Sequence, residues 1–534
     1  MHDSAGNAAQ PALFARRLTA WRLAPSSDFA DPIVWAIAIA ALVLHLAVAG
    51  RYDFFRNELY FIVCGRHPDF GYADQPPLAP LLAAATQMFG ENLFLLRLPA
   101  ALAAAALVPV TAAIARLLGG GRAGGVIAAI AIIASPALTA MSSTFGTSTF
   151  EPIGWTLIAY LVLRGAVRGE SAALLWAGIA AGVTFEAKFG VAVWALGLVV
   201  GLLLTNYRGL LASRAFWIAA ALAAAIGAPP LIWQALHGFP FREIIAYHSA
   251  EGRIFSGGFK HFWIAQSLGM NIVLAPLWLT GLVAPFLPRG AQAGRVAAGA
   301  FVVTAAAVFA AHGKDYYLFP AYPAVFATGA ASIARLHVLF RAGWCGLALA
   351  NAALLAPITL PLLSPDGLFH FMQKTHIRPS PNEAAGVGAK ITQVFSDEFG
   401  WRGLATTVAA IYRGLPDTDR AATGIFAWNY GEAASIDFFT AGSGLPPAMS
   451  SENQYYVWGP RDGDVHNLIL VNVDADVWKQ RCATLTQVAT FGARYAMPYE
   501  SDRPIFLCRG LVQPLAAMWP ETKWGRGKRK IVLF

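Results

Sequence analysis

Charge is scarce in this chain. Only 13% of its 534 residues are Asp, Glu, Lys or Arg, and 57% are hydrophobic; the mean hydropathy is +0.52. That balance excludes an ordinary soluble globule and fits a polytopic membrane protein. Cysteine is scarcer still, and four residues are too few for a disulfide scaffold. There is no His/Cys cluster with zinc spacing, no DxD-type pair in a soluble nucleotide-binding fold, and no internal repeat. The N-terminal residues include Arg16, Arg17 and Arg22 but no short apolar core with a small-residue cleavage site. The run that follows, Ile33 to Gly50, therefore reads as a retained first helix rather than a signal peptide. Net charge is +9, yet most Lys and Arg of the first 340 residues lie in small clusters between apolar runs. That is topology information, not a nucleic-acid surface.

What is present is a series of apolar runs long enough to cross about 30 Å of hydrocarbon. Eleven are expected, near 32–50, 94–116, 123–142, 151–166, 171–187, 189–205, 215–236, 266–287, 296–312, 317–335 and 342–363. With the N-terminal arginines in the cytoplasm, every inner loop carries an arginine pair: Arg116/Arg122, Arg164/Arg168, Arg208/Arg214, Arg289/Arg295 and Arg335/Arg341. The division is then a cytoplasmic segment at 1–31, a transmembrane domain at 32–363 and an extracytoplasmic domain at 364–534. The glycine-rich GGGRAGG (119–125) joins two apolar spans rather than a strand and a helix, so it reads as a turn and not a phosphate cradle.

After Asp366 polar residues return. GIFAW (424–428), NLILVNV (467–473) and PIFLC (504–508) read as buried strands; 401–415 and 430–442 read as helices. Together they predict a small α/β domain. Cys482 and Cys508 both fall in it, as a disulfide or as two buried thiols. The basic tail KWGRGKRK (523–530) reads as solvated or touching lipid headgroups.

The outer loops (51–93, 143–150, the turn 186–188, 237–265 and 312–316) hold charges that topology does not require. RNELY (56–60) sets Glu58 beside Arg56 and Asn57 on a helix expected to lie along the membrane surface. GYADQPPL (71–78) places Asp74 before a Pro-Pro, and Glu151 heads the fourth span, where an acid also complements the helix dipole. Lys314, Tyr316 and Tyr317 crowd a late span boundary, with a phosphate partner and an interfacial belt in one segment. His248 and His312 are single outer-loop histidines and read as surface groups rather than ligands. A carboxylate as general base, cations for a phosphate and aromatics for a cleft are the parts needed to move a group from a membrane-bound phospholipid carrier to an acceptor.

In this order, RNELY, GYADQPPL, FEP (150–152) and GKDYYLFPAYP (313–323) closely resemble bacterial membrane glycosyltransferases of family 39, of the GT-C group, which includes protein O-mannosyltransferases and lipid A aminoarabinose transferases. NYGEA (429–433), GLPP (444–447) and WGP (458–460) extend the resemblance to nearly the whole chain. It implies a GT-C-type helical fold, a polyprenyl-phosphate-linked sugar that is itself the donor with no separate cofactor, and inverting transfer to a lipid, glycan or protein acceptor at the outer face of the bacterial inner membrane. It implies Lys314, and with it Lys188 or Arg56, as holders of the donor phosphate. The family's first outer loop carries an Asp-Glu pair, where this chain has Asn57-Glu58. Three readings stay open: Glu58 as base, Asp53, Asp74 or Glu151 in its place, or a protein that binds without transferring. A lipid or sugar transporter is the competing class, and Glu186 and Lys188 deep in a through-cavity would favour it.

Overall fold

A computed structural model describes residues 27–250, 258–288, 290–378, 388–460 and 465–525. The apolar runs are helices: α1 (Pro32–Val48), α2 (Arg56–Arg66), α3 (Leu78–Gln87), α4 (Leu93–Ala115), α5 (Gly121–Ile133), α6 (Pro136–Met141), α7 (Glu151–Arg168), α8 (Ser171–Phe185), α9 (Val191–Leu203), α10 (Arg214–Ile226), α11 (Ala228–Leu236), α12 (Pro240–Ala250), α13 (Gly258–Gly269), α14 (Ala275–Val283), α15 (Gly294–Ala310), α16 (Tyr322–Ile333) and α17 (Val338–Leu355). Local chemistry sets their starts. Asp31 accepts the Ile33 amide ahead of α1, with Pro32 at the first helical position, and Asn92 accepts the Leu95 amide ahead of α4.

The GGGRAGG turn reverses the chain between α4 and α5. Gly119 takes φ 87°, which favours glycine, and a Cβ on Gly120 would lie 2.7 Å from the Ala331 Cα. By length and composition, three helical stretches among the described residues could cross a membrane: Leu93–Ile133, Thr147–Arg168 and Val338–Ile358. Two bent pairs raise this to five, and five further apolar helices are shorter. Several expected spans are not single helices; the run 123–142, for one, breaks into α5 and α6. The run 215–236 breaks into α10 and α11 at Gly227. The run 266–287 falls in a pair bent by 98°. Asn271, at φ 71°, makes that bend: its side chain caps Val273 and donates to the carbonyls of Ala134 and Ala348.

Two of the arginine loops meet the segment that leads into α1. Asp31 meets Arg122 at 3.2 Å and Arg116 at 3.7 Å, and Asp28 meets Arg168 at 2.7 Å. Arg16, Arg17, Arg22, Arg289, the His248 side chain and the tail beyond Gly525 lie outside the described residues.

At the other end of α1 sits the α/β domain, entered through α18 (Pro365–Thr375) and carrying α19 (Trp401–Arg413) and α20 (Tyr430–Phe439). Its five strands are β1 (Thr423–Ala427), β2 (Ala448–Ser450), β3 (Asn467–Val471), β4 (Cys482–Phe491) and β5 (Arg503–Leu511). The order is β2-β1-β3-β5-β4, with β2, β1 and β3 parallel and β5 and β4 antiparallel additions. Cys482 and Cys508 form a disulfide between β4 and β5.

The RNELY helix is not a solvated surface helix. On α2, Leu59, Tyr60, Phe61, Ile62 and Val63 are buried in one core with Trp401, Val408, Ile425 and Ile469 of the α/β domain. The first loop is thus the joint between bundle and sheet.

Candidate functional site

Glu58 organises this joint. It is fully buried, with a carboxylate that takes four hydrogen bonds. Arg97 Nε (2.8 Å) and the Phe145 amide (2.7 Å) donate to Oε1; Arg97 Nη2 (2.9 Å) and the Phe55 amide (2.7 Å) donate to Oε2. A carboxylate offers about four such positions, so none is left for an acceptor hydroxyl. In this arrangement Glu58 holds the site together and is not placed as a base. Arg97 also donates to Glu398 Oε2 at 2.9 Å and to the carbonyls of Ala49 and Asp53. Burial pushes the Glu398 carboxyl up to about 8; the Arg97 charge opposes that rise and the Glu58 charge adds to it.

Arg56 also faces the α/β domain. Its guanidinium donates to the Tyr499 hydroxyl, lies 3.8 Å from Asp397 and stacks over Tyr430. The start of α20 fits over it only because residue 431 is glycine: a Cβ there would come within 2.4 Å of Arg56 Cγ. These contacts bury Arg56 in the joint, which does not suit the phosphate role expected of it. Asn57 is half-buried and accepts a 2.8 Å hydrogen bond from the Tyr430 hydroxyl.

Asp74 is half-buried. Tyr60 donates to its Oδ1 at 2.6 Å and Asn453 to its Oδ2 at 3.1 Å. Burial raises its carboxyl to about 6, the Tyr60 hydrogen bond pulling the other way and the Glu452 charge adding to the rise. The loop is clamped from both sides. Gln454 accepts the Ala73 amide, Gln234 donates to the carbonyls of Tyr72 and Ala73, and Trp233 donates to Asp69. The Tyr60 and Tyr430 rings are 4.9 Å apart, so Asp74 and Asn57 share one aromatic wall.

A second cluster lies at the same end. Lys188, on the turn between α8 and α9, donates to Glu151 Oε2 and to Ser148 Oγ, both at 2.8 Å. Its ammonium sits 4.7 Å from the Tyr317 ring centroid and 5.5 Å from that of Tyr316. Lys314 is half-buried and immediately precedes Asp315, whose backbone carbonyl accepts from Gln266. Two hydrogen bonds tie the clusters together. The Leu78 amide donates to the Glu186 carbonyl at 2.9 Å, and the Phe145 amide, in the loop that ends at Glu151, reaches Glu58.

Asp74, Asn57, Glu151, Lys188, Tyr316 and Tyr317 are therefore brought to one end of the bundle, with Lys314 in the same segment as the two tyrosines. Sequence reading missed Arg97, which hides in the apolar run LFLLRLPAALA; a lone arginine inside such a run was the available signal. Ser148, Glu398 and Asn453 had none. Among the described residues, no group of three His, Cys, Asp or Glu could hold a metal ion.

Residues 74–233 match the family model described as dolichyl-phosphate-mannose-protein mannosyltransferase. The fold is similar to ArnT from Cupriavidus metallidurans, solved bound to undecaprenyl phosphate and in the apo state. In both cases the TM-score is 0.60, identity is 14%, and 88% of this chain and 97% of that one are covered. A weaker likeness, TM-score 0.48 at 13% identity over 85% of this chain and 70% of the other, is to an Archaeoglobus fulgidus oligosaccharyltransferase. No curated protein sequence matches the chain.

Proposed function

From the GT-C fold that this chain shares with membrane glycosyltransferases, we infer that it transfers a sugar from a polyprenyl-phosphate donor to an acceptor at the outer face of the bacterial inner membrane, with its N-terminus cytoplasmic and its α/β domain outside. The lipid-linked sugar is the donor and no separate cofactor takes part. The observation that carries this reading is that the segment after Asp74 is hydrogen-bonded, through the Leu78 amide and the Glu186 carbonyl, to the turn that carries Lys188 and its partner Glu151.

Lys188 uses two of its three donors on Glu151 and Ser148, which leaves one N–H for a phosphate oxygen. Lys314 supplies the second cation. As the sugar C1–O bond to the phosphate breaks, these fixed cations meet the growing charge. The acceptor oxygen or nitrogen forms the new bond to C1 from the opposite face, inverting it, and its proton passes to the Asp74 carboxylate. A base near pH 6 is mostly ionised at neutral pH, close to the optimum for proton transfer.

One observation favours a second reading. Asn57, where relatives are expected to carry Asp, is engaged with Tyr430; a transferase-derived protein that binds the lipid without turnover would look the same there. Full-length protein given polyprenyl-phosphate sugars and candidate acceptors decides between them. Turnover abolished by Asp74→Asn supports transfer. Tight donor binding without turnover, unrevived by Asn57→Asp, supports the binding protein.

A further inference from the structure

A crevice of about 260 Å³ lies between α1, α4, the α5–α6 break and α17, on the domain-facing half of the bundle. Its walls are alanines and aliphatics, and no Lys, Arg, Asp or Glu lines it. One strongly polar group does. His45, in the last turn of α1, is 7% exposed, and its Nδ1 has no hydrogen-bond partner among the described residues. Thr139 and Thr359 also line the crevice, and their hydroxyls donate to the carbonyls of Ser135 and Ala356. A buried imidazole nitrogen left unmatched in an apolar wall is unfavourable unless something meets it.

The crevice has an open side. At its edges Leu44 and Leu349 are 43% and 38% exposed, and α17 belongs to the least buried of the long apolar stretches. Access is thus sideways between α1 and α17, the direction from which a bilayer lipid arrives.

We propose that this crevice binds one acyl chain of a neighbouring leaflet lipid, with an ester carbonyl or hydroxyl at the chain's head bonded to His45. A neutral imidazole carries one N–H and one lone pair, so either tautomer satisfies one of these groups. The donor phosphate is a poor occupant, since a phosphate here would be buried without a cation. Ser142, on the wall, lies three residues before Phe145, whose amide holds Glu58, so a seated chain also buttresses the catalytic-end loop. The proposal does not depend on the transfer reading.

The test uses the full chain in lipid nanodiscs with a phospholipid bearing a diazirine on its acyl chain, and in parallel a diazirine-bearing polyprenyl phosphate. After irradiation, adducts are mapped by peptide mass spectrometry. The phospholipid is expected to label the crevice walls of α1 and α17 well above the outward face of α17, and His45→Leu is expected to lower that labelling several-fold. Ala41→Phe with Ala352→Phe, which fill the space, should remove it while adducts elsewhere on the bundle persist. Equal labelling of wall and outward face in the wild-type protein overturns the proposal even if no variant folds. So does labelling that the filling variants leave unchanged, or stronger labelling of the crevice by the polyprenyl probe.

Discussion

Lys188 and Glu151 meet at 2.8 Å, one from the α8–α9 turn and the other from the first residue of α7. The pair is asymmetric. Glu151 is buried, whereas the Lys188 side chain keeps 23% of its surface exposed and lies against two tyrosine rings. A buried carboxylate that fixes a partly open ammonium is suited to presenting positive charge to a ligand, because the cation is oriented before the ligand arrives.

That asymmetry can be tested by separating stability from turnover. Lys188→Met leaves Glu151 buried without its cation and is expected to cost about 3–5 kcal/mol of stability. Lys188→Met with Glu151→Gln should recover most of that loss in a thermal melt. Transfer from a polyprenyl-phosphate sugar should nevertheless stay about 100- to 1,000-fold down, the scale for losing a transition-state charge partner. Full turnover in the double variant would remove Lys188 from the phosphate site.

Arg97 is the cation shared by Glu58 and Glu398, and all three are buried. Arg97→Met leaves two carboxyls facing each other and is expected to destabilise by about 3–5 kcal/mol, with the α/β domain loosening from the bundle first. Limited proteolysis between α18 and α19 reads that loosening. Glu58→Gln, which keeps half of the acceptor positions, should be milder. An unchanged cleavage pattern in Arg97→Met would show that the Arg97 contacts do not hold the domain.

The sign of the pH dependence follows from Glu398. Its carboxyl is raised from 4.5 to about 8, so between those values the folded chain holds a proton that the unfolded chain has released. Its contribution is fully present below pH 4.5 and is lost as pH rises through 8, at no more than one proton, about 1.4 kcal/mol per pH unit. Glu398→Gln stays neutral and keeps a partner for Arg97. Its melting temperature should be flatter with pH than the wild type's, and higher at pH 8–9. Parallel curves for the two proteins would assign the dependence to another group.

Apolar runs announce helices, and GIFAW, NLILVNV and PIFLC announced β1, β3 and β5, since buried strands are continuous hydrophobic runs. The strand β2 is three residues long, and β4 is an edge strand whose CATLTQVATF is mostly exposed or half-buried, so neither leaves a hydrophobic pattern. The motifs drew attention to the right loops but not to each side chain's partner. Arg56, Asn57 and Glu58 adjoin in sequence yet point to Asp397, Tyr430 and Arg97. Two of those partners lie more than 300 residues away, and no local periodicity encodes such contacts.

Asp74 is where mechanism and environment can be tied most directly. Burial lifts its carboxyl to about 6 and the Tyr60 hydrogen bond restrains that rise. If Asp74 takes the acceptor proton, transfer should fall off below about pH 6, and Tyr60→Phe should move that limb upward, because the removed hydrogen bond favoured the charged form. Asp74→Asn should lower kcat by about 100- to 10,000-fold, the range for a lost general base, with the Kd for polyprenyl phosphate little changed. The informative comparison is the limb itself. A merely structural Tyr60 would lower activity evenly across pH, whereas a tyrosine that tunes the base moves the midpoint. Turnover that survives Asp74→Asn, with a limb that stays in place in Tyr60→Phe, would send the search for the base to Glu151 and Asp53.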